Sequence, residues 1–226
     1  MYRIITVERE FGSGAGEIAC ELSVRLGWKL WDHTLTEEIA KVAHVDCSDV
    51  ERHEERVDST FRRLANVFWR GSYERSMSMS DEQAFDADCF VATGQRVMKE
   101  AAAAGNCVIV GRGAPYFLRE QPGTFHVFLY APRAEKLRRL QVIGKSEKEA
   151  GNLVDTIDRD RIIFVKHYFG ADWPTRSLYH LMINTAIGND NVISTILNTM
   201  HSLEKKSATN LTDFPQTPQN EVQSHR

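Results

Sequence analysis

The stretch Ile4-Ile5-Thr6-Val7-Glu8-Arg9-Glu10-Phe11-Gly12-Ser13-Gly14-Ala15-Gly16 decides the fold, because a β-branched run leads through four residues into three glycines within five positions. From Glu17 the period becomes helical, with Ile18, Leu22 and Leu26 on one face and Gly27 where a C-cap glycine belongs. A strand, a tight loop and a helix N-terminus together make an anion-binding geometry. Trp28 to Trp31 then reads as a second short strand ending at Asp32.

The alternation continues outward. Spaced apolar residues from about 33 to 75 predict two or three amphipathic helices, followed by a connection over 71–81. Phe90 to Ala104 is helical in spacing, and Cys107-Val108-Ile109-Val110 is a continuous apolar run suited to a strand buried on both faces. The loop Gly111-Arg112-Gly113, a short helix at Tyr116-Phe117-Leu118 and a strand His126 to Tyr130 come next. A basic helix from Ala134 to about Ile143, a charged helix near 147–164, a strand Leu181 to Asn184 and a helix from about 191 to 203 complete the pattern. Strands separated by helices predict an α/β fold with a parallel sheet and helices on both faces. Residues 204–226 are polar without periodicity and are expected to be a disordered tail.

Composition narrows the function. The chain has 226 residues, 42% hydrophobic and 26% charged, which is globular in character. A net charge of −3 leaves no cation excess for holding a long nucleic acid, while a local basic patch for a small phosphate ligand stays open. Cys20, Cys47, Cys89 and Cys107 form no CxxC pair, and the eight histidines form no HExxH, so no protein-built metal site is expected. Reduced thiols, the absence of a leader-like segment and the absence of an apolar run of membrane length point to a cytoplasmic protein with no membrane partner.

In a parallel sheet, ligands sit where the strands end at their carboxyl side. The residues there are Gly12 to Gly16, Asp32, Gly111-Arg112-Gly113, Arg133 and Asn184-Thr185, a set suited to phosphates. Two motifs compete for the first loop. GxxxxGK[ST] with Gly16 as its second glycine puts Phe11, Glu17 and Ile18 at the glycine, lysine and hydroxyl positions, so the pattern fails. GxGxxA fits Gly14, Gly16 and Ala19, with Asp32 as the ribose-binding acid of a dinucleotide-dependent oxidoreductase. Asp158-Arg159-Asp160-Arg161 favours phosphoryl transfer, which needs cations around the migrating group. The same four residues also fit a solvated helix face with Asp158 paired to Arg161. The basic run Arg133, Lys136, Arg138 and Arg139 reads as an amphipathic face, from which Arg133 stands out because it follows a strand.

Together these segments, with Tyr168-Phe169, Asp172-Trp173 and Tyr179 to Thr185, resemble the cytidylate kinase-like family of P-loop nucleoside monophosphate kinases from about Arg3 to Leu203. The resemblance implies a three-layer P-loop kinase-like domain over 1–203, with a helical acceptor lobe at about 33–90 and a lid at about 145–172. It implies that Gly12, Ser13, Gly14, Ala15 and Gly16 hold the phosphates of ATP, and that Asp32, Arg112 and Asp160 bind the acceptor. Arg159 and Arg161 would serve the transferred phosphoryl group. The implied reaction moves the γ-phosphoryl group of ATP, with Mg²⁺, to CMP or dCMP, with small nucleotides as partners and the oligomeric state left open. The chain departs from ordinary cytidylate kinases at Glu17, Ala19 and Gly113, where they carry the loop lysine, the threonine and an aspartate. Losing the threonine leaves Ser13, Asp32 or water for Mg²⁺, and Arg9 is the nearest cation in sequence to replace the lysine. A nucleotide-binding regulator without turnover is the alternative that these departures raise.

Overall fold

The computed structural model describes residues 1–32, 34, 35, 37–39, 41, 42 and 87–212. The expected connection over 71–81 and most of the expected acceptor lobe lie outside these residues. Five parallel strands run β1 (Ile4–Arg9), β2 (Lys29–Trp31), β3 (Cys107–Val110), β4 (Thr124–Tyr130) and β5 (Leu181–Asn184). Their order across the sheet is β2-β3-β1-β4-β5. The helices are α1 (Ala15–Leu26), α2 (Ala87–Ala104), α3 (Ala114–Phe117), α4 (Arg133–Val142), α5 (Glu147–Phe169) and α6 (Asn189–Thr212).

All six residues of β1 are buried, as a strand covered on both faces requires. Ile4 packs with Met98, Tyr116, Phe164 and Val165 from α2, α3 and α5 on one face, joined by Leu35 and Ile39. Ile5 and Val7 pack with Ile18 and Leu22 of α1 and with Val192, Ile193 and Ile196 of α6 on the other. The period-2 alternation of one strand thus feeds two apolar layers, and the sheet lies between them. A smaller cluster of Leu140, Ala150 and Val154 joins α4 to α5, with Phe11 against it.

The strand order excludes the dinucleotide reading. A dinucleotide-binding sheet places β2 beside β1, whereas here β3 separates them, in register Val7 to Val110 and Trp31 to Ile109. Asp32 therefore ends a strand that does not adjoin the glycine loop. The chain leaves β1 toward β2 on one side and returns from β3 past β1 to β4 on the other. The connections after β1 and β3 diverge, which opens a crevice over their carboxyl ends.

Two expected boundaries move. Helix α5 runs to Phe169 as one 23-residue piece, with Ser146 Oγ accepting from the Glu149 amide at its start. Helix α6 continues to Thr212, so residues 204–212 of the expected disordered tail are helical. An apolar stripe is not needed to extend a helix already anchored at Leu203, and the Tyr2 amide fastens this end by donating to Glu204 Oε1. No described helix is long and apolar enough to cross a membrane.

His126 on β4 is buried, its Nδ1 2.7 Å from Thr6 Oγ1, while its amide donates to His180 Nδ1 at 3.0 Å. Burial, and secondarily the neighbouring His180, lowers its pKa from 6.5 to about 4. The unfolded chain then binds more protons than the folded one between these values, so stability falls as pH drops from about 6.5 toward 4. Urea unfolding at pH 7.5 and pH 5 should show this loss, and His126→Gln should shrink the pH-dependent part by about 1–2 kcal/mol. Equal pH slopes in the two proteins would remove His126 as its source.

Candidate functional site

The glycine loop follows directly from β1. Gly12 and Gly14 have φ of 75° and 76°, and Gly14 begins α1 with no side chain capping the helix end. Such an end favours an anion. The Ser13 amide closes the turn on the Glu10 carbonyl at 3.3 Å. Ser13 Oγ is buried and has no hydrogen-bond partner among the described residues.

The cations beside this loop come from α4. A Cβ on Gly12 would stand 3.1 Å from Lys136 Cβ, and one on Gly14 would stand 2.9 Å from Arg139 Nη1. Arg139 Nη1 donates to the Ser13 carbonyl and, at 2.9 Å, to Thr185 Oγ1, while Thr185 Oγ1 itself donates to the Ser13 carbonyl at 2.7 Å. Lys136 Nζ lies 2.6 Å from Glu10 Oε2 and 3.3 Å from Asp158 Oδ2. Lys136 and Arg139 share a helix face by their i,i+3 spacing. Arg133, singled out above because it follows a strand, is instead exposed and paired with Asp155, and Arg138 is exposed and paired with Glu135.

A second set of cations meets over the ends of β1 and β3. Arg9, Arg112 and Arg161 line a narrow cavity with Glu8, Phe164 and Trp173. Arg112 Nη1 lies 3.3 Å from Asp32 Oδ1 and donates to the Val110 carbonyl at 3.0 Å. Arg161 Nη1 donates to the Arg9 carbonyl at 2.8 Å and to Asp158 Oδ1 at 3.0 Å. Arg9 leans over Gly111, whose φ of 68° and missing Cβ make the room. Its Nε and Nη2 have no partner among the described residues, although Arg9 is only 4% exposed. Burial lowers the pKa of Arg112 to about 10, with Asp32 opposing the shift and Arg9 adding to it. It lowers Arg161 to about 10 as well, with Arg9 the second cause and Asp158 opposing. Arg112 and Arg161 remain charged near neutrality, in a place where an anion relieves the repulsion from Arg9.

The structure therefore brings Arg9, Asp32, Arg112 and Arg161 together and leaves Arg159 on the solvent face of α5. Asp160 is buried on the same helix. Arg9 does not stand in for a loop lysine, since its guanidinium turns toward Gly111. Glu17 is exposed, with Asn189 Nδ2 3.5 Å away, and Ala19 lies in the apolar core. Glu17 and Ala19 thus put neither a cation nor a hydroxyl at the start of α1. Sequence reasoning passed over Glu8, read Lys136 and Arg139 only as part of an amphipathic face, and paired Asp158 with Arg161 as it is found here. The i,i+3 spacings put each pair on one helix face without showing what that face meets. No group of three or more His, Cys, Asp or Glu suited to a metal occurs among the described residues.

The sequence profile of the cytidylate kinase-like family matches residues 4–187, most of the chain, which therefore belongs to that family. No curated protein sequence matches. Among solved structures, an uncharacterized protein from Eubacterium ventriosum ATCC 27560 superimposes with a TM-score of 0.62 at 21% identity, over 88% of this chain and 98% of that one. A gluconokinase from Sinorhizobium meliloti 1021 gives a TM-score of 0.50 at 11% identity, over 92% and 96%. A shikimate kinase from Acinetobacter baumannii in complex with shikimate gives 0.49 at 15%, over 89% and 94%. At these identities the likeness to the first two concerns the fold alone, and with the family it agrees with the P-loop kinase-like α/β fold expected from the sequence.

The approach of Arg9 to Gly111 is testable. Gly111→Ala should cost more than the roughly 1–2 kcal/mol of a left-handed alanine, because the new methyl group overlaps the Arg9 guanidinium. Gly27→Ala, at φ 64° with nothing within 4 Å, is the comparison. Equal losses in urea unfolding would mean that Arg9 is not held where the structure places it.

Proposed function

We propose that the chain is a phosphotransferase that moves the γ-phosphoryl group of ATP to a (deoxy)cytidylate-type nucleotide. The observation that carries this reading is the pair of cation-lined anion sites flanking one glycine loop, Lys136 and Arg139 on one side and Arg9, Arg112 and Arg161 on the other. Two phosphate-bearing reactants need two such sites close together, and a single binding event does not.

In this reading Gly12, Ser13, Gly14, Ala15 and Gly16 hold the donor phosphates by backbone N–H groups and the start of α1, and Lys136 and Arg139 supply the charge that the loop lacks. Arg112, oriented by Asp32, and Arg9 hold the acceptor phosphate. Asp160 lies one position before Arg161 and serves the acceptor side. Arg161 spans the two sites through the Arg9 carbonyl and Asp158. Exposed Arg159 on the same helix, within the proposed lid, is the cation for the migrating group. Positioning and charge neutralisation suffice, with no covalent intermediate on the protein.

Buried Ser13 Oγ, which has no partner among the described residues, fits a hard-cation ligand better than Asp32, which is already paired with Arg112. Mg²⁺ arriving with ATP would be held by Ser13 and would supply positive charge against the donor phosphates.

Coupled ADP release with ATP and CMP or dCMP tests the reading directly. Arg139→Ala and Lys136→Ala should each weaken ATP binding by about tenfold or more, as expected for loss of a charge-assisted contact of 1.5–3 kcal/mol. Arg159→Ala and Arg161→Ala should lower kcat by about 10²–10³ with smaller changes in ATP affinity. Tight ATP and CMP binding without ADP release would instead assign a regulator. A chain that ignores millimolar ATP would overturn both assignments.

A further inference from the structure

We propose that Glu8 is the resident counter-ion of the arginine cavity, standing where an acceptor phosphate binds and yielding to it, so that the site admits phosphate-ester dianions and refuses neutral acceptors. The proposal rests on reading this cavity as the acceptor's anion site.

Three guanidiniums converge on the cavity, and Glu8 is the carboxylate among the residues that line it. Asp32 and Asp158 pair with Arg112 and Arg161, and neither is a lining residue. Glu8 is 3% exposed, and its charge helps to hold both Arg112 and Arg161 in their charged forms. Without a ligand it adds, from inside the cavity, to the stronger effects of Asp32 on Arg112 and Asp158 on Arg161 in letting three buried guanidiniums share one space.

It does so incompletely. Glu8 Oε1 accepts from the Arg9 amide at 3.1 Å and from Arg9 Nη1 at 3.4 Å. Arg9 Nε and Nη2 are left without partners among the described residues. Those two atoms form one edge of the guanidinium fork, the edge that a phosphate takes with two parallel hydrogen bonds. A phosphate monoester brings about two negative charges and three terminal oxygens, and so satisfies what one carboxylate oxygen cannot. A neutral hydroxyl brings no charge to replace that of Glu8, so it has no means of displacing it. Glu8 therefore competes with the ligand, and removing its charge should strengthen anion binding while weakening the empty protein. A purely structural Glu8 would lose stability on substitution and gain no affinity.

The test is Glu8→Gln, which keeps the shape and removes the charge, measured by calorimetry with inorganic phosphate and with CMP at fixed pH and ionic strength. The unliganded variant should melt lower than the parent, and both ligands should bind about tenfold more tightly or better, since a nearby like charge has been removed. Unchanged or weaker phosphate binding by a folded variant overturns the proposal. Should Glu8→Gln fold poorly, Glu8→Ser is measured with and without millimolar phosphate. Phosphate must then raise its melting temperature by more than it raises that of the parent, and a smaller or equal rise overturns the proposal. If phosphate binding tightens while CMP binds neither protein, the proposal stands and the cytidylate reading fails. If CMP is turned over and Glu8→Gln changes no affinity, the cytidylate reading stands and the proposal fails.

Discussion

Asp158 Oδ1 accepts from the Phe11 amide at 2.8 Å and from Arg161 at 3.0 Å, while its Oδ2 faces Lys136 at 3.3 Å. One carboxylate on α5 thus fixes the start of the glycine loop, a cation beside that loop and a cation of the neighbouring cavity. The loop has no side-chain cap of its own at α1, and without this tie its approach to the helix would be held mainly by the Glu10–Ser13 turn and the contacts to Ser13. The separation of the two basic clusters is thus set by a carboxylate that contacts one cation of each.

The sheet order explains why so much charge meets in one place. β1 lies between β3 and β4, and its last two residues, Glu8 and Arg9, are as buried as the isoleucines before them. A central strand ordinarily stays apolar along its whole buried length. Here it ends in a carboxylate and a guanidinium, with Arg112 arriving from the adjacent strand end. Burying such groups costs several kcal/mol per ion before pairing offsets it. The apolar layers above and below the strand, with Phe125, Phe128, Ile18 and Leu22 fully buried, supply the stability that allows it.

Much of the fold was legible because its signals are local. The β-branched runs 4–7 and 107–110, Gly27 ending α1, and the alternation of strands with helices each carry their own physical cause. The site was less legible. Arg9 leaves a strand end, and sequence adjacency to the glycine loop says nothing about which way a strand residue turns. Lys136 and Arg139 are separated from that loop by more than 120 positions, and only the packing of α4 shows that they, not Arg133, face it. The dinucleotide fingerprint fitted the glycines as spacing and failed on strand order, which no short motif encodes. The extent of α6 was missed because periodicity marks where a helix is packed, not where it stops.

The Ser13 carbonyl, held at once by Thr185 at the end of β5 and by Arg139 from α4, has a kinetic consequence. Because both anchors belong to the folded scaffold, the loop's shape is settled when the chain folds and does not await the nucleotide. The entropy of ordering is spent before encounter, so capture of an anion is limited by diffusion and by steering in the field of the basic groups around the crevice. Association should accordingly slow with rising ionic strength, while escape is governed by the short-range contacts that salt screens least.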